Sequence, residues 1–142
     1  GQESTVRVSS ESSWGLELSH PVALDDPINA QIDALLERAC WRNCSPAHAE
    51  AMGVASPEEL AGRLLGEFVD ADDELNRASL AALVRSGYEL IGVRLNVKTA
   101  GGDVRITHNS IVGAVENGHL VRLWGTQQDV TSFIKAGNGK RS

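Results

Sequence analysis

Leu90-Ile91-Gly92-Val93-Arg94-Leu95-Asn96-Val97-Lys98-Thr99 opens the stretch that decides the fold. It is followed by the Ala100-Gly101-Gly102-Asp103 turn, the segment Val104 to Glu116, the pair Asn117-Gly118 and the segment Leu120 to Thr131. In the first segment Ile91, Val93, Leu95 and Val97 alternate with Gly92, Arg94, Asn96 and Lys98, the two-residue period of a half-buried strand. Asn117 and Gly118 both tolerate the positive φ of a tight hairpin turn. Short turns join antiparallel neighbours, so the three segments form an antiparallel meander.

Upstream the period changes. Trp14-Gly15-Leu16-Glu17-Leu18 alternates as a short strand that Pro21 closes. Asp26 as cap, Pro27 in the first turn, and Ile28, Ile32, Leu35, Leu36 and Ala39 on one face predict an amphipathic helix. Cys40 to Cys44 has strand character, and Ser45-Pro46 starts a second helix offering Ala47, Ala51 and Met52 to the core before Gly53 stops it. Ser56-Pro57-Glu58-Glu59 brings a hydroxyl cap, an N1 proline and two carboxylates to the positive end of a third helix, carrying Leu60, Leu64, Leu65 and Phe68. A longer helix opens at Asp72 or Asp73 and runs to Ser86-Gly87. Strand, helix, strand, short helices and meander make an α+β domain with its helices on one side of an antiparallel sheet.

At 142 residues the chain has the size of one domain, and 42% hydrophobic with 23% charged residues is an ordinary globular composition. Residues 1–13 read as a flexible, linker-like segment, 14–134 as the folded domain and 135–142 as a C-terminal linker. A formal net charge of −6 repels a phosphate backbone, so no nucleic-acid partner is expected. No apolar run approaches the roughly 20 residues that cross a bilayer, and no membrane association is expected of this segment. Cys40 and Cys44 lie too far apart along a strand for a relaxed disulfide, and free thiols point to a cytoplasmic location. Only His48 follows them, too few ligands for a metal site.

The final strand, ending Trp124-Gly125-Thr126-Gln127-Gln128-Asp129-Val130-Thr131, resembles the exit of PAS sensory domains, which close on a glycine and an Asp-(Ile/Val)-Thr sequence. Asn43-Cys44-Ser45-Pro46-Ala47 resembles the family's asparagine-led helix entry. Met52-Gly53 and Pro57-Glu58-Glu59-Leu60-Ala61-Gly62-Arg63 resemble its next two turns. Val84-Arg85-Ser86-Gly87-Tyr88, Asn109, Val112-Gly113 and Val121 to Gln127 look like the version found in bacterial sensor histidine kinases and transcriptional regulators. The resemblance covers Trp14 to Thr131. It implies a five-stranded antiparallel sheet with short helices on one face, and a non-catalytic input to an attached effector in signal transduction. It also implies that strain leaves through the end of the last strand, where Asp129 and Thr131 can each bond nearby backbone.

The resemblance implies that flavin or haem could occupy such a domain, and the residues argue against both. Flavin-binding light-oxygen-voltage members resemble this chain at Asn96 and Gln127, but after Gly62-Arg63 stand Leu64 and Leu65 where their reactive cysteine belongs, and Ile106 replaces a second amide. The long helix carries no histidine to ligate haem. Neither flavin nor haem is therefore predicted. No catalytic constellation is visible, and the acidic pairs Glu58-Glu59 and Asp72-Asp73 suit helix starts.

What remains is a pocket between sheet and helices for a small apolar or amphipathic ligand. Its candidate residues are Leu65, Phe68, Leu83, Val93, Leu95, Asn96, Ile106, His108, Leu123 and Gln127. A homodimer is expected through the N-terminal residues Trp14, Leu16, Leu18, Ile28, Ile32, Leu35 and Leu36 together with exposed sheet, if both apolar sets exceed what one core can hold. Two other readings compete: a ligand-free dimerisation module that only positions its effector, and a small sheet-pocket enzyme built on Asn96, His108 and Gln127.

Overall fold

The computed structural model describes residues 11–135. Five strands, β1 (Ser13–Ala23), β2 (Ala39–Arg42), β3 (Glu89–Lys98), β4 (Val104–Glu116) and β5 (His119–Asp129), form one antiparallel sheet in the spatial order β2-β1-β5-β4-β3. α1 (Ile28–Arg38) connects β1 to β2. Between β2 and β3 come α2 (Pro46–Ala51), α3 (Pro57–Leu60), a 3-10 turn (Leu65–Glu67) and α4 (Glu74–Arg85). The expected α+β architecture and C-terminal meander are both present. The linker readings for 1–10 and for the end from Ala136 fall outside the described residues.

Four local expectations are corrected. Residues 11–13 are pinned to the domain: Ser45 Oγ donates to Glu11 O at 2.9 Å, and Ser45 N to Ser13 O at 2.9 Å. β1 then continues through Pro21 to Ala23, because its register with β5 shifts between Glu17 and Val22 and no ladder bond there needs the proline's missing N–H. α3 stops after one turn. Gly62 takes a φ of 85°, and the following residues pair with β2, Gly62 N donating to Trp41 O and Trp41 N to Arg63 O, each at 3.0 Å. These sheet-like bonds replace the helical ones that the run from Ser56 predicted, and they leave Leu64 exposed. α2 buries His48 and Ala49, with Met52 just beyond it, rather than Ala47 and Ala51.

Trp14, Leu16, Ile32, Leu35 and Leu36 are all buried in a single core, with Leu18 and Ile28 packed against it. The N-terminal face expected to hold a dimer together is thus interior, because α1 lies across the sheet and covers the inward residues of β1. The edge strand β3 is closed differently. Asn76 on α4 accepts from Asn96 N at 2.8 Å and donates to Asn96 O at 3.0 Å, satisfying an edge residue as a neighbouring strand would. Asp73 caps the same helix by accepting from Asn76 N at 3.0 Å, so cap and edge plug are held together.

Close approach between strands fixes one glycine. A Cβ on Gly125 would overlap the carbonyl oxygen of Ser110 and meet Trp14 Cζ2 at 2.9 Å, whereas one on Gly101 would find nothing nearer than Thr99 Oγ1 at 3.9 Å. Gly125→Ala is expected to cost about 3 kcal/mol or more in urea denaturation, or to prevent folding, while Gly101→Ala stays within about 0.5 kcal/mol of the parent.

Candidate functional site

Between the sheet and the helices lies a cavity of about 30 Å³. A water needs about 10–15 Å³ on this measure and a drug-sized ligand about 300 Å³ or more, so the interior is nearly filled. Of the residues expected here, Leu65, Leu83, Leu95, Leu123 and Gln127 line the cavity. Phe68 and Val93 are buried outside its wall. Asn96 is turned to the α4 cap, its Nδ2 donating to Asp73 Oδ2 at 3.2 Å. His108 is exposed and Ile106 half-buried, with neither in the wall.

The last two misplacements, Ile106 and His108, share one cause. In β4 the inward residues are Thr107, Asn109 and Ile111, all buried, so the intervening Ile106 and His108 belong to the other face. The hydrophobic pattern of β4 predicts the opposite parity, because it is the polar pair Thr107 and Asn109 that goes inside. Asn109 stands directly across from Gln127 in the β4–β5 register. Asn109 Nδ2 donates to Thr107 Oγ1 at 2.9 Å and to Val93 O at 3.4 Å, and Thr107 Oγ1 donates to Leu95 O at 3.0 Å. Among the described residues Gln127 Nε2 has only the sulfur of Met52, at 3.9 Å. Two amides thus face an otherwise apolar space. The sequence signal that would have found Asn109 is its two-residue spacing from Ile111, the inward anchor of β4.

Two tryptophans complete the wall. Trp14 and Trp41 pack edge to face with centroids 6.2 Å apart, and both indole N–H groups are buried with no partner among the described residues. Behind Trp41, fully buried His48 stacks at 5.0 Å, its Nδ1 3.1 Å from Ser12 Oγ and its Nε2 without a partner among the described residues. Burial alone pushes its pKa down to about 4. Among the described residues no group of three His, Cys, Asp or Glu side chains could hold a metal ion. Cys40 and Cys44 are free and neither lines the cavity.

At the exit of β5, Asp129 Oδ1 accepts from Thr131 N at 2.9 Å and Oδ2 from Arg105 Nε at 2.7 Å. Partial burial raises the Asp129 pKa, but the bonds from Arg105 and Thr131 outweigh it and hold the carboxyl below its usual range. Thr131 Oγ1 accepts from Ile106 N at 2.8 Å, tying the exit to β4, and residues 131–135 then turn helical.

No family model and no curated protein matches the chain. Solved structures do. A sensory box histidine kinase/response regulator from Burkholderia thailandensis is 20% identical, with 99% of this chain and 92% of that one covered and a TM-score of 0.61. A light-oxygen-voltage domain studied with a flavin analogue is 14% identical, covered to 98% and 95%, with a TM-score of 0.60. A PAS domain from Colwellia psychrerythraea is 12% identical, covered to 92% and 98%, with a TM-score of 0.59. At these identities the likeness is one of fold, and the fold is that of PAS domains. The cavity as it stands is an order of magnitude smaller than a drug-sized ligand needs, and buried Leu65, just beyond Gly62-Arg63, forms part of its wall.

His48 sets a pH dependence. Its folded pKa of about 4 lies below its unfolded value of 6.5, so the unfolded chain binds the extra proton between these limits. Stability is complete above pH 6.5 and falls as pH drops toward 4, by about 3 kcal/mol from this group. Urea titrations across that window should show a shallower slope for His48→Leu than for the parent; parallel slopes would remove His48 as the cause.

Proposed function

We propose that this domain is a sensory module of PAS type that takes a small ligand into the cavity under β4 and β5. It would relay occupancy through Asp129 and Thr131 to an attached effector, a histidine kinase or a transcriptional regulator. The observation that carries the reading is the polar set on the inner face, Thr107, Asn109 and Gln127. A core serving only to hold a sheet to its helices gains nothing from two amides where Leu or Val would pack, and local choices that work against the fold cluster at functional positions. The route is short: Asn109 and Ile106 lie on one strand, and Ile106 binds Val130 and Thr131 at the exit, with Ile106 O accepting from Val130 N at 2.8 Å. The site has two amides and no nucleophile paired with a base, which suits binding rather than catalysis. A cytoplasmic setting agrees with two free thiols.

The second reading, a ligand-free dimerising module, draws on the outer sheet face. There Ile91 is 86% and Trp124 43% exposed, with the Arg122 guanidinium 5.9 Å from the Trp124 ring. A homodimer formed there, rather than through the buried N-terminal residues, should give a dimeric mass by light scattering that Ile91→Ser with Trp124→Ser converts to monomer.

Native mass spectrometry of freshly purified protein separates the two readings. The sensor reading expects a non-covalent mass excess that disappears in Asn109→Leu while the fold is kept. Bare mass in both proteins, with Asn109→Leu at least as stable as the parent, would leave only the ligand-free module.

A further inference from the structure

We infer that the ligand is a neutral molecule of about one ring, carrying a hydrogen-bond acceptor for the indoles of Trp14 and Trp41 and a donor for Asn109 Oδ1. The inference rests on the cavity being a ligand site and specifies what that site takes.

Charge is decided by the wall. Apart from Asn109 and Gln127 the lining side chains are apolar or indole, and none is charged. A carboxylate or phosphate brought into such a space loses its water without meeting a cation, a cost of several kcal/mol that no contact there offsets.

Polarity is decided by what each wall group has left to give. An indole N–H can only donate; Trp14 and Trp41 both line the cavity, and their N–H groups are buried without an acceptor among the described residues. Leaving such a donor unmade is the expensive outcome in a folded interior, so two beside one cavity call for an acceptor that the described residues do not supply. Asn109 presents the opposite need. Its Nδ2 is already engaged by Thr107 and Val93, which leaves the carbonyl oxygen as its free function. Gln127, resting on a sulfur at 3.9 Å, can turn either end of its amide to a guest.

Size is decided by the part of the wall that can give way. The inner face of the sheet is fixed by ladder bonds, and most of the lining is branched or aromatic. Met52 is the unbranched, flexible apolar member, and it sits at the C-terminal cap of a six-residue helix. Benzene fills a cavity of about 150 Å³. Moving one methionine side chain enlarges the cavity toward that scale, which suits one ring and falls short of a three-ring cofactor.

The test uses the intact chain and four probes: 2-pyridone, which sets a carbonyl beside an N–H on one neutral ring; toluene; benzoate; and flavin mononucleotide. 2-Pyridone should raise Tm and shift the indole N–H resonances of Trp14 and Trp41 in ¹H–¹⁵N spectra, leaving that of surface Trp124 in place. Trp14→Phe, Trp41→Phe and Asn109→Leu should each weaken its Kd about 10-fold. Toluene binding as tightly as 2-pyridone would overturn the hydrogen-bonding assignment. Preferential binding of benzoate or flavin mononucleotide would overturn the neutral, single-ring class while leaving the ligand site standing. If no probe moves either buried indole and the native mass is bare, the inference and the ligand-site reading fall together. The resonance shifts are read on the parent protein, so the outcome does not depend on whether a tryptophan variant folds.

Discussion

A sheet covered by helices on one face sends every second side chain of each strand inward, so the register of β4 against β5 settles what the interior is made of. With Asn109 opposite Gln127, the inner face receives Thr107, Asn109 and Ile111 from β4, and Leu123 and Gln127 from β5. A slip of one residue would bring Ile106, His108 and Ser110 inside and carry Asn109 to the solvent. The β5 partner enforces the observed choice, because Gly125 fits against Ser110 and Trp14 only where it is. β3 keeps step through a bulge: Gly92 takes a φ of 81°, the register shifts between Leu90 and Val93, and Ile91 is turned out while Val93, Leu95 and Val97 stay in.

Much of this architecture could be read from periodicity. The alternation from Val93 to Val97 in β3, the Asn117-Gly118 hairpin, the apolar face of α1 and the starts of α2 and α4 are local signals, and the folded chain obeys them; Ile91, at the bulge, does not. The errors arose where a distant partner outvoted a local preference. Gly62 to Leu64 read as helix because nothing nearby reveals that β2 will pair with them. Asn96 read as a pocket residue because the sequence does not show that Asn76 and Asp73 will claim it. Pro21 read as a strand end, although a bulge spares it the bond it cannot make.

The site was less legible than the fold, for a reason tied to what the site is. Pattern reading assumes that polar residues go out. In β4 the assumption assigns Ile106 to the core and leaves Thr107 and Asn109 outside, the reverse of the structure. The burial of Asn109 is therefore visible only after register is known, and the same inversion that hid the residue marks it as something other than packing.

The cavity also sits where both ends of the domain meet. Gln127, in its wall, donates its backbone N–H to Ser12 O at 2.8 Å, and Ser12 reaches His48 on α2, the helix that Met52 caps. On the other side Asn109 shares β4 with Ile106, which holds Val130 and Thr131 where β5 gives way to helix. The sheet side of the cavity is stiff because its strands share long ladders. The helical side is built of short elements held by a few caps and side-chain bonds, such as Ser45 Oγ accepting from both Ser13 N and His48 N. A change in what fills the space therefore meets less resistance toward α2 than toward the sheet. Displacing α2 acts on Ser12 and Ser13 directly and, through the Ser12 O bond to Gln127 N and the Met52 contact with the Gln127 amide, on β5 two residues before Asp129. The softer side of the cavity therefore adjoins both the N-terminal entry and the strand that carries the exit signature.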